Sequence, residues 1–111
     1  MPHHASPIRQ LTAIELKAMI ESGSPFELID VRTEEERAIA HIESARLLDR
    51  AYHEALLQMD PNTLMVFQCH HGIRSQQAAE YFQHHGLRNL CNLSGGIDAW
   101  SLTVDSSVPR Y

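Results

Sequence analysis

"LMVFQCHHGIRSQQAAEYF", Leu64 to Phe82, is the stretch that decides the fold. Thr63–Gln68 is nearly continuous in apolar side chains, as a strand covered on both faces would be. From Ser75 onward Ala78, Ala79 and Phe82 share one helical face, and Gly86 is placed to cap the helix. Between strand and helix lie a cysteine, two histidines, a glycine and an arginine.

Outward from this unit the same alternation recurs. Towards the N-terminus, "FELIDV", Phe26–Val31, has the length and character of a strand, and Thr33 with Glu36 forms a capping-box signature for a short helix. Before it, Thr12 with Glu15 is another capping box, followed by Ile14, Leu16, Met19 and Ile20 in a helix ending near Gly23. Between the two units, Ala45–Asp49 reads as a short strand and Ala51–Met59 as a helix closed by the turn residues Asp60, Pro61 and Asn62. Beyond the central unit, Arg88–Leu93 reads as a last strand. Gly95 and Gly96 then punctuate the chain before a closing helical turn in which Trp100 packs on the body.

Strands alternating with helices favour an α/β fold: about five strands in a mainly parallel sheet with helices on both faces. Ligands in such folds sit beyond the carboxyl ends of the strands, and Cys69 lies there. No repeat, low-complexity segment or linker divides the chain. It reads as an irregular segment over 1–7, one domain over 8–104 and a tail over 105–111.

Composition narrows the function. At 111 residues the chain is one domain, long enough to bury roughly 65% of its unfolded surface without metal or disulfide staples. Net charge is −5 with neutral histidines and the basic residues are scattered, which argues against nucleic-acid binding. No apolar run approaches a membrane span, and the N-terminus lacks a signal-like pattern, so the expectation is a cytoplasmic protein with no membrane partner. Cys69 and Cys91 lack CxxC spacing and read as free thiols. The eight histidines include His3/His4, His70/His71 and His84/His85, but adjacent residues rarely point at one ion, and no metal is expected.

A loop between a buried strand and a helix N-terminus offers unpaired N–H groups and the positive end of a dipole, and both favour an anion. The Cys69 thiol, which ordinarily titrates near about 8.5, is lowered in such a place and becomes a nucleophile. Gly72 lets the loop curl so that N–H groups point inward, and Arg74 adds fixed charge. The competing reading is a cysteine that merely fills a strand end.

Cys69-His70-His71-Gly72-Ile73-Arg74-Ser75 resembles the active-site loop of rhodanese-type sulfurtransferases, in which the cysteine carries a persulfide. "LIDVRTEEERAIAHIESA" resembles the same family's DVR-to-GHI segment, and "NLSGGIDAW" its closing GG-to-W segment. Ala40 and Ser44 depart from the family's glycines, and Arg37 stands where an aromatic is common. The loop is one residue shorter than that of related phosphatases and arsenate reductases, which suits sulfur rather than phosphate.

The resemblance, from about Ile8 to Trp100, implies a single-domain rhodanese-like protein. Cys69 would attack a sulfane sulfur from thiosulfate or a related donor and pass it to a protein or small-thiol acceptor, with cyanide serving in vitro and no cofactor required. An interaction or redox-sensing module with little turnover is the alternative. His70 and His71 would bind an anionic donor or stand as solvated loop residues. Arg74 would support the anion, or hold neighbouring carbonyls or Glu80. Asp30, Arg32, Glu36 and His41 would form an ion-pair and hydrogen-bond network supporting the fold. Cys91 reads as a packed thiol, with a resolving role as the alternative.

Overall fold

The computed structural model describes residues 7–111. The expected irregular segment 1–7 and the His3/His4 pair therefore lie outside the described residues, Pro7 apart. The elements run β1 Arg9–Leu11, α1 Ala13–Ser22, β2 Glu27–Asp30, α2 Glu34–Ile39, β3 Arg46–Leu47, α3 Arg50–Leu57, β4 Met65–Gln68, α4 Ile73–His84, β5 Leu90–Leu93 and α5 Gly96–Thr103. The strands form one sheet in the order β1-β5-β4-β2-β3, with every pair parallel.

Alternation along the strands sorts the core into two layers. Leu28, Val66, Cys91 and Leu93 face α1 and α5, where Leu16, Ile97 and Trp100 complete a cluster. Ile29, Met65, Phe67 and Leu90 face the opposite way, onto Tyr52 and Leu56 of α3 and Ala79 and Phe82 of α4. All four β4 side chains are buried, as expected of a strand with helices on both sides.

Both capping boxes form: Thr12 and Thr33 each accept from the amide three residues on, while Glu15 and Glu36 each accept from the cap's own amide. Helix α4 reaches its cap at His85, one residue before the expected Gly86. The strand expected over Ala45–Asp49 narrows to two residues in β3.

Strand β1 was not among the strand candidates. Its three residues are too few to show a period, and Arg9 and Gln10 are exposed. It exists because its backbone pairs with the edge of β5, Arg9 with Cys91 and Leu11 with Leu93. The tail likewise belongs to the body: Arg110 pairs with Asp98 of α5 at 2.8 Å, and the Tyr111 ring stacks on His70 with centroids 3.9 Å apart.

Candidate active site

Cys69 follows the last residue of β4, and the chain needs one unusual residue to turn from there into α4. Gly72, at φ +102°, makes the turn, and a side chain there would press on the Leu93 carbonyl at 3.2 Å and the Gly95 amide at 3.3 Å. On the other side of the loop, α5 seizes its carbonyls. The Ile97 amide donates to Cys69 O at 2.8 Å and the Asp98 amide to His70 O at 3.1 Å. Gly96 permits this approach, since a Cβ there would collide with both carbonyls.

With those carbonyls directed to α5, the loop's N–H groups turn inward on the sulfur. Cys69 Sγ accepts from the Gly72 amide at 3.1 Å and the Ser75 amide at 3.4 Å, and the Ser75 hydroxyl lies 3.2 Å away. Burial alone would push the thiol up, for Cys69 is only 1% exposed. The Ser75 hydroxyl and the backbone N–H groups of Ser75, Gly72 and His71 outweigh burial, and the net direction is downward.

Arg74 turns to α2 rather than to Glu80. Its guanidinium grips Glu36 of α2 with two hydrogen bonds, 2.7 and 2.9 Å long. That contact, with help from Tyr111 and the Thr33 amide, holds the Glu36 carboxyl well below the usual carboxylate range against a smaller opposing effect of burial. Next to it, Arg32 forks onto both oxygens of Asp30, 2.9 and 2.8 Å, and also reaches the Ala40 carbonyl and the Tyr111 hydroxyl. Tyr111 passes its own hydroxyl hydrogen to Glu36 at 2.7 Å.

A family model described as the rhodanese-like domain matches residues 12–103. The chain belongs to that family. It is 31% identical to a probable adenylyltransferase/sulfurtransferase, MoeZ, of Mycobacterium tuberculosis over 91% of this chain, but spans only 26% of that protein. It is also 31% identical to the thiosulfate sulfurtransferase GlpE of Ectopseudomonas mendocina, over 75% of this chain and 77% of the relative. Among solved structures, a rhodanese-like domain protein of Staphylococcus aureus superposes with a TM-score of 0.74 at 28% identity, covering 94% of this chain and 99% of that one. A human single-domain sulfurtransferase gives 0.71 at 26% identity, covering 89% and 98%.

Within this rhodanese-like domain the expected site residues divide. The loop from Cys69 to Ser75 is gathered as one unit, although Ile73 points outward at 71% exposure. Asp30, Arg32 and Glu36 are joined through Arg32 and Tyr111, and His41 is not with them. Past α2 the chain is extended, so Ala40 and Ile42 turn inward and His41 turns out, into a groove with Lys17, Ile20 and Trp100. Arg37, the departure from the family pattern, bonds Asp30 at 3.3 Å and the Ala45 carbonyl at 2.7 Å.

His70 stacks on both His71 and Tyr111, with centroids 3.9 Å apart in each case. The ring nitrogens of His70 and His71 and a carboxylate oxygen of Asp98 lie within 4.8 Å of one another, the one such cluster among the described residues. Both Asp98 oxygens are held by Arg110, at 2.8 and 3.3 Å, so a cation would have to displace that pair. Cys91 is fully buried in the core under α1 and α5, with the Arg9 guanidinium on its sulfur at 3.2 Å.

Three participants carried no usable sequence signal. Asn92 looks like one polar residue in a strand, Gln10 lies in the unrecognised β1, and Tyr111 lies in a tail without a pattern. Each reaches the site through a contact spanning many residues of sequence, which periodicity cannot report.

Proposed function

We propose that this domain moves a sulfane sulfur from thiosulfate or a related donor to a thiophilic acceptor through a persulfide on Cys69. The observation that carries the reading is the convergence of loop amides and the Ser75 hydroxyl on Cys69 Sγ. The Cys69 thiolate attacks the outer sulfur of the donor; the bond from that sulfur to the sulfonate breaks, and sulfite leaves with the electron pair. The new Sγ–S bond leaves a terminal anionic sulfur, which the loop amides and helix end stabilise. An acceptor such as cyanide takes that sulfur, leaving as thiocyanate and restoring the thiolate. The covalent intermediate implies ping-pong kinetics and calls for no metal or organic cofactor. Two free thiols suit a reducing, cytoplasmic setting.

The test is intact mass after incubation with thiosulfate, comparing wild type with Cys69→Ser. The expected result is a gain of one sulfur atom that cyanide removes and the variant lacks. No adduct from thiosulfate or from a protein persulfide would overturn the reading.

A second reading, an interaction or redox-sensing module, is favoured by one observation: the sulfur is almost wholly covered. Partner binding that survives Cys69→Ser, with no sulfur loading in wild type, would support it.

A further inference from the structure

The hydrogen bonds around Ser75 have a direction fixed by groups that can only accept. The Gly72 carbonyl accepts from Asn92 Nδ2 at 3.0 Å, so the amide's NH2 end faces the loop. The second hydrogen of Nδ2 goes to Gln10 Oε1, also at 3.0 Å. Asn92 Oδ1 therefore faces Ser75 Oγ, 2.5 Å away, and an amide oxygen accepts only.

Ser75 has a single hydroxyl hydrogen, and Asn92 holds it. In that arrangement Ser75 Oγ offers Cys69 only lone pairs, and the sulfur 3.2 Å away completes the contact as a thiol that donates its S–H. A thiolate has nothing to donate. When Cys69 loses its proton to bulk water, the hydroxyl must turn from Asn92 to the sulfur, and Asn92 Oδ1 loses its donor. Ser75 is 0% and Asn92 3% exposed, so water does not replace what either loses.

We infer that Asn92 is a positioning residue that competes with Cys69 for the Ser75 hydroxyl hydrogen and so sets how readily the sulfur ionises. Its use in catalysis rests on the proposed function: the free enzyme needs the hydroxyl on the thiolate. In the persulfide the inner sulfur is uncharged, and the hydroxyl is released to Asn92. Ser75 thus has two settings, and the strength of its bond to Asn92 fixes the balance between them.

The test reads the thiol itself. Alkylation of Cys69 by iodoacetamide is followed against pH, by mass of the Cys69 peptide so that Cys91 does not count. Asn92→Leu removes the competing acceptor, and the midpoint should fall by about half to one pH unit. Ser75→Ala should raise it, and in the Ser75→Ala background Asn92→Leu should do nothing. Asn92→Ala, which demands less room, should repeat the Asn92→Leu result, so either folded variant decides. A midpoint unmoved or raised by the Asn92 change overturns the inference. So does an equal fall with and without the Ser75 hydroxyl, because Asn92 would then act through the Gly72 carbonyl. Absence of sulfur loading in wild type, with the thiol titration as expected, would sink the proposed function alone.

Discussion

Arg74 and Glu36 are joined by two parallel hydrogen bonds, and through them the first turn of α4 is tied to α2, 38 residues earlier in the chain. The pair is partly open to solvent, with 45% of the Arg74 side chain and 18% of the Glu36 side chain exposed. Its Coulomb energy is correspondingly modest, and its geometry is what distinguishes it. Glu36→Gln should lower stability by about 1 kcal/mol at neutral pH. The effect should be read by chemical denaturation.

The same carboxyl gives a signed pH dependence. Folded Glu36 titrates below its ordinary value of 4.5. Its contribution is therefore complete above that value and is lost as the solution is acidified towards the folded pKa. Wild type should lose stability more steeply than Glu36→Gln as pH falls below about 4.5. Parallel curves would show that the pair does not act this way.

The downward direction at Cys69 predicts that its alkylation reaches half-maximal rate below the pH of an ordinary cysteine. Gly72→Ala should undo this. It forces a Cβ into left-handed backbone and against the Leu93 carbonyl, which withdraws the Gly72 amide from the sulfur. The expected changes are a raised midpoint and a loss of about 1–3 kcal/mol in stability. An unchanged midpoint in a folded variant would remove the amide from the account.

Tyr111 predicts an effect on access. With its ring on His70 and its hydroxyl between Arg32 and Glu36, it covers the residue that follows Cys69, itself only 1% exposed. Tyr111→Ala should speed alkylation of Cys69 by about threefold or more at fixed pH, in line with ~0.5–1.5 kcal/mol of lost ring contact, with little movement of the midpoint. Equal rates would mean that the ring does not control entry.

Asp30 and Arg32 form a pair whose side chains are both fully buried. Arg32→Ala leaves the Asp30 carboxylate with the longer Arg37 contact as its one cation, beside the backbone amide of residue 32 at 3.0 Å, and should destabilise the domain by about 3 kcal/mol or more. Thermal unfolding checks this. The alkylation midpoint of Cys69 should stay where it is, because Arg32 makes no contact with the sulfur loop's donors.

What was legible in the sequence was whatever repeats or caps. Met65–Gln68 announces a central strand because it must bury both faces, and Thr33 with Glu36 announces a helix start because the bonds they exchange are local. The position of the Cys69 loop was legible as well, since Gly72 and the strand-to-helix junction sit within a few residues of Cys69. Illegible were contacts closed only by the fold. Glu36 gives no local hint that its partner is Arg74, nor Asn92 that it meets Ser75. His41 misled for the opposite reason. Its segment pointed to the Asp30 network, but the extended chain after α2 turns its side chain outward.

The grip of α5 on the Cys69 and His70 carbonyls bears on how portable the cysteine heptapeptide is. Cys69–Ser75 grafted onto another strand-to-helix junction would carry its cysteine, glycine and serine intact, yet without Ile97 and Asp98 nothing would hold the first two carbonyls away from the sulfur. The peptide planes would be free to flip, and an acceptor oxygen could face the thiolate where a donor should be. The smallest transferable unit is therefore the loop together with the Gly95–Gly96 turn and the opening of α5, two pieces of chain that must travel together.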